Sequence, residues 1–322
     1  MDLQPRSPRG ATRLLPRAAS MNRQVVSSAS AAARLAHAGA WLEAHGTRGP
    51  LAVAPSRGAA DELVRSLVET GCDFFGVHRT TPRLLALDIA TPQLASMGRL
   101  PVSSLSAEAL AARAASDAGD ELEYLGAVAA YPGFPRALSR TLDELAGVGA
   151  SPADLAELGP TCRDLVELWS RFVEEMDRPR PWEGYELALA DRMMVWEAAA
   201  AGVVAGHAFV GLPLLLLDIV PETHAEELFW RRLAAVTSSA LATVPAGDPD
   251  AGELAAALGA EITDLDSAAA PPSSRLAALR RHIFSSSAES QGTPDDGSLE
   301  VIAAPGEGRG AVEIARRAHE LA

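Results

Sequence analysis

Residues 51–68, LAVAPSRGAADELVRSLV, contain a short apolar run, a turn and an amphipathic segment in that order. The run Leu51–Ala54 predicts a buried strand, and Pro55–Gly58 predicts the turn that ends it. From Ala59 onward the apolar residues recur with the spacing of one helix face. They are Leu63, Val64, Leu67 and Val68. This stretch therefore predicts one strand, turn and helix unit.

Two further units of this kind flank it. Gln24–Val26 predicts a short strand. Ala31–His45 then has small and apolar residues at helical spacing. The predicted buried face of that helix consists of Leu35, Ala38 and Leu42. On the other side, Phe74–Val77 predicts a strand that leads through Thr80–Pro82 into a third apolar helix. Strands that alternate with helices predict a parallel sheet of the α/β class.

The pattern changes in residues 101–206, where one predicted helix follows another and we expect no strand. The clearest helix is Asp164–Asp177, whose apolar stripe is typical of a core. We also expect Trp169, Trp196 and Trp230 to lie in a core. The α/β pattern resumes in residues 207–265, with predicted strands at Leu214–Asp218 and Ala240–Val244. Residues 101–206 are therefore predicted to be a large helical insertion in an α/β domain that begins with residues 23–100.

The two ends of the chain have other patterns. Residues 266–298 are rich in Ser, Ala, Pro and Asp around one predicted helix at Leu276–Phe284, which is typical of a linker. Residues 299–322 predict a strand at Leu299–Ala303 and a helix at Ala311–Leu321. We expect them to begin a second, truncated domain of a longer polypeptide. Residues 1–22, with arginines among Pro and Ser, predict a disordered basic tail.

Composition limits the functions that the chain can have. Its formal net charge is −14, which argues against a large basic surface for duplex DNA, because such binding needs cations that neutralise phosphates. All 28 basic residues are arginine, so no reaction here can depend on a lysine amine. Cys72 and Cys162 lack the spacing of a zinc site. The apolar stretch 208–217 is shorter than the roughly 20 residues of a membrane span. We therefore expect a cytoplasmic protein with no membrane partner.

Seven segments have the order and spacing of helicase motifs. They are QVVSSASAAARL (24–35), AVAPSRGAADEL (52–63), GVHRTTPRLLA (76–86), YPGFPRALSRTLDEL (131–145), LLLLDIVPETHAEELFWRRL (214–233), ATVPAGD (242–248) and GEGRGAVEIARRAHEL (306–321). Together they resemble a superfamily one helicase of the UvrD type, and more closely the AddB-type subunit of bacterial helicase-nucleases. The resemblance extends from about Arg23 to Ala322, and segment 131–145 is its most distinctive match.

The resemblance implies a RecA-like (P-loop NTPase-like) fold and a role in double-strand break repair and recombination. It implies an AddA-like motor subunit as partner, and single-stranded or broken double-stranded DNA as the nucleic acid that is bound. In proteins of this type a PD-(D/E)XK exonuclease domain that uses Mg²⁺ would follow beyond Ala322. This chain would then be the helicase-like N-terminal fragment of such a protein.

The segment in the place of the Walker A loop departs from the pattern of an active ATPase. A P-loop needs glycines that expose amides to phosphate, a lysine for the β and γ phosphates, and a hydroxyl for Mg²⁺. Between Val25 and Leu35 there is neither a glycine nor a lysine. Asp218 ends the Walker B-like strand, but Ile219 follows where a carboxylate would activate water, and we expect Asp218 to cap the strand end. The chain itself is therefore predicted to have no ATPase activity, no catalytic residue and no cofactor or metal.

Close pairs of acidic residues do not change that prediction. Asp264 and Asp266 form one pair, and Asp295 and Asp296 form another. Each pair lies beside Ser, Gly or Pro, without the following Glu-X-Lys strand of a nuclease site. We expect all four to be solvated loop charges.

Five residues at predicted strand ends are candidates for DNA contacts. They are Ser56, Arg57, Arg79, Thr80 and Thr81. Such residues share one edge of the sheet, where ligands of open α/β folds bind, and their hydroxyl and guanidinium groups can hold phosphates. The same residue types also cap helices and turns, and the sequence leaves both interpretations open.

Two functions of other classes are alternatives to the helicase-like one. An enzyme that binds a nicotinamide or flavin cofactor would need a GxGxxG turn after its first strand, and none follows Val26. An acidic protein–protein interaction module with no DNA contact would fit the net charge of −14. The second function stays open as the alternative to the helicase-like one.

Overall fold

The computed structural model describes residues 22–72, 76–156, 158–205, 207–266, 274–283 and 295–321. The strands of these residues, in chain order, are β1 Asn22–Ser28, β2 Leu51–Val53, β3 His78–Thr80, β4 Arg99–Pro101, β5 Arg180–Trp182, β6 Tyr185–Ala190, β7 Leu214–Leu217, β8 Ser239–Pro245 and β9 Ile262–Asp264. Six of them form a central parallel sheet in the order β3-β2-β7-β8-β1-β9. The predicted α/β class with a parallel, RecA-like sheet is confirmed.

Helices make up most of the remaining described structure. In chain order they are α1 Ala31–His45, α2 Arg57–Glu69, α3 Pro82–Ser96, α4 Ser104–Ala118, α5 Gly126–Ala129, α6 Phe134–Gly147, α7 Pro152–Leu155, α8 Pro160–Asp177, α9 Arg192–Ala205, α10 His224–Val236, α11 Ala251–Leu258, α12 Arg275–His282 and α13 Glu307–Leu321. Within the described ranges, none of these helices combines the length and the apolar character that crossing a bilayer requires.

Helices cover both faces of the central sheet. One face packs against α3, α9, α10 and α11 through residues such as Ile89, Trp196 and Phe229. The other face packs against α1 and α2 through Leu42 and Leu63. This double coverage explains the uninterrupted apolar sequence of β7, because a strand that is buried on both faces has no polar side to alternate with. The predictions that Trp196 and Trp230 are core residues are confirmed.

The buried face of α1 agrees with the predicted one at Ala38 and Leu42 but not at Leu35. Leu35 is 43% exposed, whereas Arg34 and Trp41 complete the buried face. The four buried residues have the spacing of one helix face. The prediction for Leu35 is wrong because an arginine, rather than a leucine, occupies the inner position.

Residues 101–177 build a second core beside the sheet. Its largest buried residues come from α4, α6 and α8, and they include Leu110, Leu142, Trp169 and Phe172. The predicted core role of Trp169 is thereby confirmed, and so is that of the apolar stripe of α8 except at Val173, which is 36% exposed. By contrast, α9 packs against α3 in the core of the central sheet, although the sequence pattern grouped it with the helical insertion. We call the three helices α4, α6 and α8 the helical cluster.

The expectation that no strand occurs in residues 101–206 is wrong. β5 and β6 form an antiparallel hairpin, and β6 also pairs in parallel with β4. The resulting three-stranded sheet has the order β4-β6-β5. The sequence pattern does not predict this sheet, because β4 and β5 are only three residues long and each contains a proline.

Some predicted segments lie partly outside the described residues, and one is absent. Phe74 and Phe75 of the predicted third strand are outside them, and β3 begins later, at His78. Residues 1–21 of the predicted tail, and 267–273 and 284–294 of the predicted linker, are also outside. Leu299–Ala303 forms no strand, so the predicted strand of a second domain is not observed there.

Candidate functional site

The turn between β1 and α1 stands in the place of a phosphate-binding loop. β1 ends at Ser28 and α1 begins at Ala31, so only Ala29 and Ser30 connect them. The carboxylate of Asp266 lies on this turn. It accepts hydrogen bonds from the Ser28 hydroxyl at 2.8 Å and from the Ala29 amide at 2.6 Å. The turn is thus too short to wrap a phosphate, and it already binds an anion of its own chain.

An ion pair joins the helix that follows this turn to the Walker B-like strand. Nε of Arg34 lies 2.8 Å from Oδ1 of Asp218, and Nη2 of Arg34 lies 2.9 Å from Oδ2. Nη1 of the same guanidinium donates to the Ser28 carbonyl at 2.5 Å. The two parallel hydrogen bonds form a fork, which is among the strongest arrangements for a charged pair.

Asp218 is held further by the backbone and by Thr243 on β8, the strand between β1 and β7. Its φ angle is 50°, a left-handed conformation that aspartate tolerates better than most residues. Its amide donates to the Thr243 carbonyl at 3.0 Å, and the Thr243 hydroxyl donates to Oδ1 of Asp218 at 2.9 Å. Asp218 therefore does more than cap a strand end, since it links three neighbouring parts of the sheet edge.

Contacts within the chain already engage the groups that would bind a nucleotide and its metal ion. Asp218 is neutralised by Arg34, and the turn that precedes α1 is bound by Asp266 through Ser28 and the Ala29 amide. Among the described residues, no cluster of three or more His, Cys, Asp or Glu side chains is arranged to hold a metal ion. What the site can do chemically is hold β1, β7, β8 and α1 together.

Sequence reasoning missed two of these residues. Asp266 was expected to be a solvated loop charge, and that expectation is wrong because it binds the β1–α1 turn. No local pattern could reveal the contact, since Ser28 and Asp266 are 238 residues apart in sequence. Arg34 had a weak signal, since it is a charged residue among the small and apolar residues of the first turns of α1.

Three of the five predicted DNA contacts lie at helix starts. Ser56 caps α2, with its hydroxyl accepting from the Ala59 amide at 3.1 Å, and Arg57 follows it as an exposed first residue of that helix. Thr81 caps α3 in the same manner, accepting from the Leu84 amide at 3.4 Å. The capping interpretation therefore holds for both hydroxyls. Arg57 has no ion pair among the described residues.

The other two predicted DNA contacts, Arg79 and Thr80, are less accessible to a ligand. Arg79 forms an ion pair with Asp61 on α2, at 3.1 Å, and Thr80 is buried. Four of the five follow or end the neighbouring strands β2 and β3, so the structure brings these four to one edge of the sheet as predicted, whereas Arg79 lies in the middle of β3. Only Thr81 of the five also lines the large cleft described next.

A cleft of about 630 Å³ lies between the carboxyl edge of the central sheet and the helical cluster. Residues that follow three of the sheet strands line it, namely Pro55, Thr81 and Ile219. Trp169 and Phe172 of α8 line the opposite wall. In open α/β sheets this edge is the usual place for ligands.

One arginine organises the acidic wall of the cleft. Nε of Arg192 lies 3.1 Å from Asp143 of α6, and its Nη1 lies 3.4 Å from Glu222 and 3.5 Å from Glu226. Three carboxylates thus share one guanidinium where the helical cluster meets the sheet. Burial raises the pKa of Glu226 above its ordinary value of 4.5, and the neighbouring Glu222 carboxylate acts in the same direction.

Replacing Glu226 by glutamine should change how stability depends on pH. Because the folded protein holds this proton more tightly than the unfolded chain, the stability that the protonated group contributes is fully present below pH 4.5. It is lost as pH rises through the raised pKa. We therefore expect the unfolding free energy of wild type, relative to Glu226→Gln, to fall as pH rises above 4.5 and through the raised pKa of Glu226. Urea unfolding followed by circular dichroism measures it.

A matched control for this variant is Glu69→Gln on α2, a side chain that does not line the cleft. It is 62% exposed, so its replacement should change the unfolding free energy by less than about 1 kcal/mol throughout the same pH range. A Glu226→Gln difference that stays constant with pH would contradict the assigned role of Glu226.

Comparison with known proteins gives no family for the chain. No protein-family model matches it, and a search of curated proteins finds no match. Function therefore has to be inferred from the residues and contacts described above.

Proposed function

We propose that the chain is the inactivated helicase-like portion of an AddB-like subunit of an ATP-dependent helicase-nuclease. In double-strand break repair and recombination it would have a structural role and would guide a DNA single strand. One observation supports the inactivated state above all: the Arg34–Asp218 pair and the Asp266 carboxylate occupy the places of the nucleotide-binding groups. The RecA-like sheet supports the helicase-like origin.

The proposal assigns ATP hydrolysis to a partner. An AddA-like motor subunit would supply the intact P-loop. A PD-(D/E)XK exonuclease domain with Mg²⁺ would belong to the complete protein, which would work in the cytoplasm on broken double-stranded DNA. The chain's own contribution would be shape and strand contact, because it has no lysine for either kind of catalysis.

Two measurements on the purified chain test this proposal. We expect no Mg²⁺-dependent ATP hydrolysis above a no-protein blank, because the chain has no lysine to hold the β and γ phosphates and Asp218 is already paired with Arg34. We also expect a fluorescent single-stranded oligonucleotide to bind at low salt, and to bind more weakly as salt rises from about 50 mM to about 200 mM. Robust ATP hydrolysis by uncontaminated protein would contradict the inactivated site.

The acidic interaction module remains the second candidate, and the net charge of −14 favours it. Such a module would contact protein partners and never DNA. The oligonucleotide titration separates the two functions, since binding that is absent even at low salt would favour this alternative. Salt-sensitive binding would favour the DNA-guiding role.

A further inference from the structure

The β5–β6 hairpin exposes two aromatic rings at its tip. Trp182 is 59% exposed and Tyr185 is 70% exposed, and the two residues face each other as partners of the antiparallel pair. Large aromatic residues are normally buried, because burying their surface stabilises the fold. A pair of exposed rings on one short hairpin therefore suggests a surface that meets a ligand.

The turn of this hairpin has a defined geometry. Glu183 has a φ angle of 47° and Gly184 has one of 87°, so both central residues are left-handed. This combination is typical of a two-residue hairpin turn whose twist matches that of its strands. The backbone thus sets the two rings side by side at a fixed tip.

An excess of guanidinium groups lies next to the hairpin. The buried carboxylate of Glu175 is approached by Arg178 at 2.7 Å, by Arg113 at 3.3 Å and by Arg180 at 3.6 Å. One carboxylate is therefore shared by three guanidinium groups. The four residues together carry a net charge of +2. Arg113 and Arg178 are half exposed, so their remaining donors can reach an outside partner.

The alternation of side chains along a strand places these features together. Arg180 and Trp182 are two residues apart on β5, so they share one face of the hairpin. Glu186 pairs with Pro181 and lies on the opposite face, while Glu183 lies in the turn itself. The acidic residue Asp177 is engaged by Arg99 at 2.6 Å.

We infer that Trp182 and Tyr185, together with Arg113, Arg178 and Arg180, form a binding surface for single-stranded nucleic acid; we call it the hairpin surface. The rings would stack on unpaired bases, and the arginines would contact phosphates. Charge favours this occupant on the face that carries Arg180 and Trp182, since three arginines share the one carboxylate of Glu175 there, whereas Glu186 lies on the opposite face. The inference rests on the proposed DNA-guiding role and gives it a location away from Ser56 and Thr81.

The test is an anisotropy titration of the full chain with a fluorescein-labelled oligothymidylate at low salt. We expect Trp182→Ala to weaken binding about tenfold, because one stacked ring is lost, and Trp182→Phe to restore most of the loss. The double variant Arg113→Ala with Arg178→Ala should reduce the slope of log affinity against log salt by about 0.7 for each phosphate contact removed. Circular dichroism melts confirm that each variant is folded.

Matched controls remove an exposed ring or an exposed arginine elsewhere. Tyr124 is 61% exposed on another segment, and Arg65 lies on α2 in an exposed ion pair with Glu62. Tyr124→Ala and Arg65→Ala should bind the oligonucleotide as wild type does.

The possible outcomes separate this inference from the proposed function. If wild type binds the oligonucleotide but Trp182→Ala and Tyr185→Ala bind equally well, the hairpin surface is overturned and the DNA-guiding role stands. If wild type binds no oligonucleotide at low salt, both are overturned. If a polyglutamate competitor displaces the oligonucleotide with higher affinity than unlabelled oligothymidylate, the surface serves acidic proteins and the inference is also overturned.

Discussion

Replacing Arg34 by alanine should lower the free energy of unfolding by about 2–3 kcal/mol. Removing one partner of a fully buried ion pair typically costs about 3–5 kcal/mol, because the other charge stays buried without compensation. Here the Arg34 side chain is 9% exposed but that of Asp218 is 29% exposed, so water can partly solvate the orphaned carboxylate. The expected loss is therefore smaller than for a fully buried pair. Urea unfolding at neutral pH, followed by circular dichroism, measures it.

A double-mutant cycle separates the ion pair from the packing of the arginine stem. The double variant Arg34→Met with Asp218→Asn removes both charges and keeps a residue that tolerates the left-handed backbone at 218. We expect it to be more stable than Arg34→Met alone. The exposed pair of Arg65 with Glu62 serves as control, and Arg65→Ala should change stability by less than about 1 kcal/mol. An Arg34→Ala variant as stable as Arg65→Ala would show that the pair does not hold the sheet edge.

Much of the sheet could be predicted because its signals are local. β7 is a continuous apolar run and β8 is mostly apolar, and the observed strands agree with the predicted ones to within one residue at each end. The small sheet could not be predicted in this way. Its strand β4 pairs with residues near Ala188, about ninety positions later in the chain, and pairing over such a distance leaves no periodic trace.

The candidate site shows the same difference between local signals, which the sequence displays, and contacts between distant residues, which it does not. The absence of lysine and of a glycine-rich turn is visible in the sequence, and it predicts a site without nucleotide chemistry. What fills the site is set by contacts between distant residues, such as Arg34 with Asp218, 184 positions apart. Helix caps can be predicted from local sequence, since Ser56 and Thr81 directly precede the helices that they cap. Their capping role was therefore predictable, whereas any role in DNA binding stays a prediction.

Replacing Gly202 by alanine should also destabilise the protein, by about 1–3 kcal/mol, through a clash between two helices. Gly202 lies in α9 where it meets α3. A Cβ atom there would be 2.5 Å from the Ile89 carbonyl oxygen and 2.8 Å from Cγ2 of Ile89. The nearest atom belongs to the backbone of α3, so it cannot move aside as the end of a flexible side chain could. The helices would have to separate, although alanine itself favours a helix by up to about 1 kcal/mol.

Gly252→Ala provides the matched control, because Gly252 also lies within a helix, α11, and a Cβ atom there would meet nothing within 4 Å. That variant should gain stability, by up to about 1 kcal/mol, since alanine restricts the unfolded chain and the folded helix accepts it without strain. The two variants differ only in what surrounds the added methyl group, so opposite signs in urea unfolding would establish that α3 and α9 are packed to backbone contact. If Gly202→Ala were as stable as Gly252→Ala, the close approach of these helices would be refuted. The position of α9 against the central sheet would then need another explanation.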